Sequence, residues 1–211
     1  MQLIAVSKKQ PVSALRDYII AARSRGIEPS LGENYMQELK SKRSQIGADA
    51  TFHVIGPLQS NKVRDAVKYG DVIESVHSLA ILRTVAQEAR KQGKQQPIFL
   101  QVNISDDSAK SGFPESEVES VLQQASQQSD ALRIDGLMTI TALYDDPKAA
   151  RADFRRMSAL RTSLIKAGCS PLFNQARILL SMGMSADYSV AIEEGADLVR
   201  VGTALFGERE A

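Results

Sequence analysis

Short apolar runs alternate with segments of helical periodicity along the whole chain, and that alternation limits the fold more than any other feature. The runs cover residues 3–6, 28–31, 52–55, 72–75, 98–103, 134–138, 178–181 and 198–201. Between them, apolar residues recur at helical spacing over 11–25, 34–46, 60–69, 78–92, 114–129, 147–167 and 185–194. Pro11, Pro114 and Pro147 stand near helix starts, where a missing N–H costs nothing, while Gly26, Gly47, Gly70, Gly93, Gly168 and Gly195 stand where helices should stop. Strands apolar on both faces and separated by helices predict parallel pairing through right-handed crossovers. Eight such units close an α/β fold, the (β/α)8 TIM barrel; an open doubly wound sheet is the rival. The number of units, and the lack of a Gly-x-Gly-x-x-Gly after the first strand, favour the barrel. No Gly/Ser or proline linker interrupts the pattern, so residues 1–211 read as a single domain whose eighth helix is only a short turn near 204–208.

The 26 Lys and Arg residues nearly balance 25 Asp and Glu, a formal net charge of +1. That leaves no basic field to attract nucleic acid, which is therefore not an expected partner. Hydrophobic residues make up 43% of the 211, enough for one core without crosslinks, and the single cysteine, Cys169, cannot form an internal disulfide. The N-terminal apolar run is too short for a secretory signal, and no stretch approaches the ~18 apolar residues of a membrane span. These features predict a cytoplasmic protein with no membrane partner and, without a large exposed apolar stripe, a monomer. His53 and His77 lie on separate strands, far from Cys169, and make no metal site.

Barrels carry their reactive groups at the C-terminal ends of the strands, so the residues just past each run are the informative ones. The seventh run leads into Ser181-Met182-Gly183-Met184-Ser185, with Ser185 placed to cap the seventh helix. The eighth ends in Arg200-Val201-Gly202-Thr203, again a glycine and a hydroxyl at a helix entrance. Together the two loops predict a phosphate held on backbone N–H groups, although each alone reads equally well as a plain turn. In the first run, period-two alternation puts Ile4, Val6 and Lys8 on one face, which points Lys8 into the barrel mouth and Lys9 outward. Desolvation there favours the neutral amine, which attacks carbonyls; a solvated Lys-Lys pair is the plainer reading of the spacing alone. Arg200 shares a face with Leu198 and Gly202 and also points into the mouth, where it needs an acceptor. A carboxylate such as Glu33 would serve, and so would a pyridine nitrogen.

Several longer motifs carry a resemblance. Ala5-Val6-Ser7-Lys8, Gly32-Glu33-Asn34-Tyr35-x-Gln37-Glu38, His53-Val54-Ile55-Gly56-Pro57-Leu58-Gln59-Ser60-Asn61-Lys62, Gln101-Val102-Asn103, Lys110-Ser111-Gly112-Phe113 and Gly136-Leu137-Met138-Thr139-Ile140 stand in order along the chain. With the Ser-Met-Gly-Met-Ser stretch and Val199-Arg200-Val201-Gly202-Thr203 through Phe206-Gly207, they resemble the pyridoxal phosphate homeostasis proteins, which are similar to the N-terminal barrel of alanine racemase. The likeness runs from residue 3 to about 209 and implies a fold type III barrel that binds pyridoxal 5'-phosphate (PLP). It implies that Lys8 forms the internal Schiff base, that Arg200 faces the ring nitrogen, that Ser185, Gly202 and Thr203 hold the phosphate, and that Asn34 lies beside the cofactor. The partners implied are PLP itself and PLP-dependent apoenzymes. The chain departs from the family pattern in lacking its typical extra N-terminal helix, in Ser75-Val76-His77 for Ser-Val-Asp, and in Thr141-Ala142 for Ala-Pro. The missing helix implies a less covered side of the barrel, and neither substituted motif touches the implied cofactor residues.

A guanidinium against the ring nitrogen is a permanent, donor-only charge, so it opposes protonation of that nitrogen and weakens the cofactor as an electron sink. Racemisation also needs a second acid/base group on the face opposite Lys8. Tyr35 and Tyr188 are the nearest candidates, each equally a helix-surface residue, and the residues are all spent before the additional β domain of alanine racemases. The expectation is a reversible, non-catalytic carrier that buffers or delivers PLP. Lys110 is either a second amine for transient capture or a solvated loop lysine. The alternatives are a low-activity PLP-dependent amino-acid racemase and a phosphate-binding barrel enzyme in which Lys8 is an electrostatic clamp without a Schiff base.

Overall fold

The computed structural model describes residues 1–142, 144 and 146–207. Eight strands, β1 (Gln2–Val6), β2 (Ser30–Glu33), β3 (Thr51–Val54), β4 (Val72–Val76), β5 (Gln96–Gln101), β6 (Leu132–Met138), β7 (Leu179–Ser181) and β8 (Leu198–Val201), pair in parallel and in chain order. β8 closes on β1 with Gln2 opposite Leu198 and Ile4 opposite Arg200. The expected closed barrel is the fold, and the open sheet is not. Helices α1 (Val12–Arg23), α2 (Met36–Ile46), α3 (Val63–Tyr69), α4 (Leu79–Lys91), α5 (Val118–Ser126), α6 (Arg151–Lys166), α7 (Tyr188–Glu193) and α8 (Thr203–Phe206) follow the strands in turn.

The helices form because each offers the barrel an apolar stripe. In α4, Ile81, Leu82, Val85, Ala86 and Ala89 are buried at helical spacing, and Ser78 caps the start by accepting from the Ile81 N–H at 3.3 Å. α2 stops at Gly47, whose φ of 63° is left-handed. The main core lies between strands and helices and includes Leu15, Phe52, Phe154 and Met157. A second cluster, Ile4, Val72, Phe99, Met138 and Leu198, fills the barrel's interior floor.

Because side chains alternate along each strand, stepping two residues up from that floor reaches a different layer. Val72 is followed by Glu74, Leu198 by Arg200 and Leu179 by Ser181, so a polar layer sits on the apolar one. Two residues further, the strands open into the mouth.

Several element boundaries depart from the sequence reading; among them, β6 starts two residues early, at Leu132, and α5 spans only Val118–Ser126. β2 lies two residues later than expected, because Gly32 and Glu33 pair with β3 and the Glu33 carboxyl is buried on partners distant in sequence. β5 starts at Gln96 and ends at Gln101, since beyond it Val102 bridges to Phe113 instead. α7 begins at Tyr188 and not at Ser185. The short eighth helix is present as α8, and residue 208, to which it was expected to run, lies outside the described residues. Among the described residues, no helix is long and apolar enough to cross a membrane.

Candidate functional site

All six residues singled out in the sequence line one cavity. It measures about 250 Å³, opens at the C-terminal end of the barrel, and is walled by Lys8, Asn34, Ser185, Arg200, Gly202 and Thr203 together with Val6, Ile55, Ile140, Met184 and Ala186. Alternation along β1 delivers Lys8 into it, two residues above Val6 and four above Ile4, while Lys9 faces solvent.

Two loops make the other wall. After β7 the chain turns at Gly183, whose φ is 91° and where a β-carbon would come within 2.5 Å of the Ala191 side chain. Only glycine lets α7 pack this close. The Ser185 hydroxyl does not cap α7, as its position had suggested; it reaches across to accept from the N–H of Gly202 at 3.0 Å and of Ala204 at 3.5 Å. It thereby caps α8, because Asp187 already takes the Met184 N–H at 2.6 Å and starts α7 later. Ser185 therefore ties the two loops together. Among the described residues, the N–H groups of Ser185, Ala186 and Thr203 have no acceptor. A cluster of uncommitted donors at a cavity wall suits an anion.

Arg200 enters from β8 with only 3% of its surface exposed. One guanidinium nitrogen donates to the Ser181 hydroxyl at 2.7 Å and another to the Thr139 carbonyl at 2.7 Å. Ser181 in turn donates to Glu74 Oε2 at 2.6 Å, and His53 Nδ1 lies 2.7 Å from Glu74 Oε1. An ionised carboxylate only accepts, so His53 carries a proton on Nδ1. The expected alternative partner for Arg200, Glu33, is not its neighbour; it binds Lys42 and Ser7 behind β1, and Glu74 serves Arg200 at 4.0 Å. Burial alone would raise the Glu74 carboxyl, but the His53 ring, Arg200 and the Ser181 hydroxyl outweigh it and hold it below the ordinary carboxylate range. Burial pulls Arg200 down, against Glu74 and Asp187, and the guanidinium stays charged. The layer beneath the cavity is thus a paired cation and anion that aims the remaining Arg200 donors upward.

Asn34 presents a buried Oδ1 with no partner among the described residues. Its backbone sits against Gly56, where a β-carbon would come within 2.6 Å of it. An amine, a guanidinium, an amide and a set of backbone donors thus converge on one small space, a group of polar anchors in an otherwise apolar wall of Val6, Ile55 and Ile140.

The profile of the alanine racemase N-terminal domain matches residues 1–210. The pyridoxal phosphate homeostasis protein of Pseudomonas aeruginosa is 36% identical over 209 residues, which is 99% of this chain and 84% of that one. The chain belongs to the pyridoxal phosphate homeostasis protein family. Among solved structures, the family's PipY from Synechococcus elongatus, without PLP, superposes with a TM-score of 0.87 at 36% identity, covering 98% of this chain and 93% of that one. PipY with PLP bound gives 0.85 at the same identity, covering 98% and 92%.

Within this homeostasis-protein barrel, the remaining candidates fall outside the cavity wall. Tyr35 is 53% and Tyr188 38% exposed, and neither lines it. Lys110 donates to the Thr141 carbonyl and lines a neighbouring cavity of about 200 Å³ that shares Ile55 and Ile140 with the first. His53 lies in the buried layer below. Sequence reasoning did not find Glu74 or Lys42. Glu74 lies in an apolar run and meets Ser181 across 107 residues, so its signal was only that a carboxylate interrupts a buried strand.

Proposed function

We propose that this chain binds pyridoxal 5'-phosphate as a Schiff base on Lys8, holds it reversibly, and so buffers it or delivers it to apoenzymes that depend on it. The observation carrying this reading is the convergence of Lys8, Arg200, Asn34 and the Ser185/Gly202/Thr203 loops on one cavity in a family whose member PipY has been solved with PLP bound. The residues suit the group. The uncommitted N–H groups at Ser185, Ala186 and Thr203 match a phosphate, the unpartnered Asn34 Oδ1 matches a ring substituent that donates, and Arg200 matches a ring nitrogen that accepts. The Lys8 nitrogen bonds to the aldehyde carbon, and the aldehyde oxygen leaves as water with two protons from the amine. The linkage reverses when water or another amine attacks.

When bound, the cofactor would supply an electron sink to an attached amine, and this site weakens that chemistry. The Arg200 charge, held by Glu74, opposes protonation of a ring nitrogen placed against it. Among the described residues lining the cavity, no acid/base side chain faces Lys8 from the opposite side, and neither Tyr35 nor Tyr188 lines it. The carrier reading is therefore better supported than a racemase.

The test is transfer. Protein loaded with PLP and desalted should reactivate a PLP-dependent apoenzyme in the presence of a scavenger that removes free PLP, and the Lys8→Ala protein should not. Protein that emerges from desalting colourless sinks the carrier reading. Exchange of the α-proton of alanine in D₂O, abolished by Lys8→Ala, would replace it with the racemase.

A further inference from the structure

Behind β1, away from the cavity, lies a cluster of charges that the binding site does not use. Lys42 of α2 is 5% exposed and spends all its donors: 2.6 Å to the Ser7 carbonyl, 2.7 Å to Glu33 Oε1 and 2.7 Å to Glu38 Oε2. The Ser7 hydroxyl donates to the same Glu33 oxygen at 2.5 Å. Glu38 Oε2 also accepts the backbone N–H of Lys9 at 2.7 Å. Two α2 side chains one turn apart therefore grip the carbonyl before Lys8 and the N–H after it. The turn they grip is unfavourable: Lys9 has a φ of 60°, the left-handed region a side chain resists. A buried ion cluster is a weak device for stability and a strong one for fixing geometry. Glu33, Glu38 and Lys42 do not line this cavity, although Glu38 lines a neighbouring one that shares Asn34 with it.

We propose that Lys42 and Glu38, backed by Glu33, are positioning residues that clamp the backbone on both sides of Lys8 and so set where its amine meets a bound aldehyde. The proposal rests on Lys8 being the attachment point. It assigns to α2 a part in forming the covalent bond that is separate from holding the phosphate or the ring.

Two probes separate these contributions. Pyridoxal 5'-phosphate needs both the pocket and a correctly placed amine; its 4'-deoxy analogue keeps the ring and phosphate but has no aldehyde, and needs only the pocket. In Lys42→Met, borohydride quenching at timed intervals should show the Lys8 adduct forming about tenfold more slowly, the penalty of a misplaced reacting group. Binding of the analogue should stay within about twofold of native, because the pocket is untouched. Glu38→Gln, whose amide oxygen can still accept from Lys9, should recover most of the native rate. Native adduct kinetics in Lys42→Met overturn the clamp, and so does a parallel loss of adduct and analogue binding, which marks a purely structural role. If Lys42→Met fails to fold, Glu38→Ala, on the more exposed side of the cluster, carries the same contrast and the same two contrary outcomes. A native protein that binds the analogue but never labels Lys8 overturns the carrier reading instead.

Discussion

A single buried carboxylate decides how Arg200 is presented. Glu74 is fully buried, and without its charge the guanidinium would be left uncompensated in the barrel, a loss of about 3 kcal/mol or more for one partner of such a pair. Glu74→Gln should lower stability by about that amount in urea unfolding at neutral pH. The pH dependence has a definite sign. The Glu74 carboxyl titrates below its unfolded value of 4.5, so its contribution is complete above that value and is lost as the pH falls through the folded one. Native protein should therefore shed stability on acidification below about pH 5 more steeply than Glu74→Gln, and parallel curves would contradict the assignment. Ser185→Ala removes the acceptor of the Gly202 N–H and loosens the loop proposed to hold the phosphate. It should weaken PLP binding about tenfold, the worth of one hydrogen bond of about 1.4 kcal/mol, while still labelling Lys8 at saturation. At this scale the sequence was informative wherever a residue's place followed from alternation along one strand, as for Lys8 and Arg200. It was silent on Lys42, because Ser7 and Glu33, two of its three partners, belong to other parts of the chain that only the fold brings to it.

Elements were legible where their signals were local. Pro11 and Gly26 bracketed α1, and Gly47 and Gly93 marked the ends of α2 and α4, within a few residues, because those signals act within one turn. At two of the misplaced boundaries a tertiary partner overrides local preference. Ser185 looks like a helix cap in sequence and is one, but for the wrong helix, since its hydroxyl finds α8 across the cavity wall. β2 runs into a glutamate that strands ordinarily exclude, tolerated because Lys42 and Ser7 satisfy one of its oxygens. Two substitutions separate these classes. Ser78→Ala removes a true local cap from α4 at a residue that does not line the cavity, and should cost about 1 kcal/mol with no change in PLP binding. Gly183→Ala forces a side chain into the left-handed turn against Ala191 and should impair stability and PLP binding together. Equal behaviour of the two variants in a binding titration would contradict the division.

At the scale of the molecule, the barrel is built in three tiers. An apolar floor of Ile4, Val72, Phe99, Met138 and Leu198 carries a polar layer of Glu74, Ser181 and Arg200, and this supports a mouth walled by Lys8 and the last two loops. Alternation, periodicity and the number of units made the fold and the top tier readable, and the motif resemblance fixed which loop residues face inward. Of the middle tier only Arg200 was readable; its pairings with Ser181 and Glu74 were not, because they join different strands. A ligand held as proposed, by Lys8 and the last two loops, would bridge both ends of the chain, so binding should stabilise the whole barrel. PLP at about a hundred times Kd should raise the melting temperature by roughly 5–10 °C, and Lys8→Ala should remove most of that rise. The most direct measurement of the central claim is borohydride reduction of the PLP-loaded protein followed by peptide mass analysis. One pyridoxyl group on the peptide containing Lys8, absent from the Lys8→Ala protein, is the predicted result; an unmodified Lys8, with the label missing or carried by another lysine such as Lys110, would contradict it.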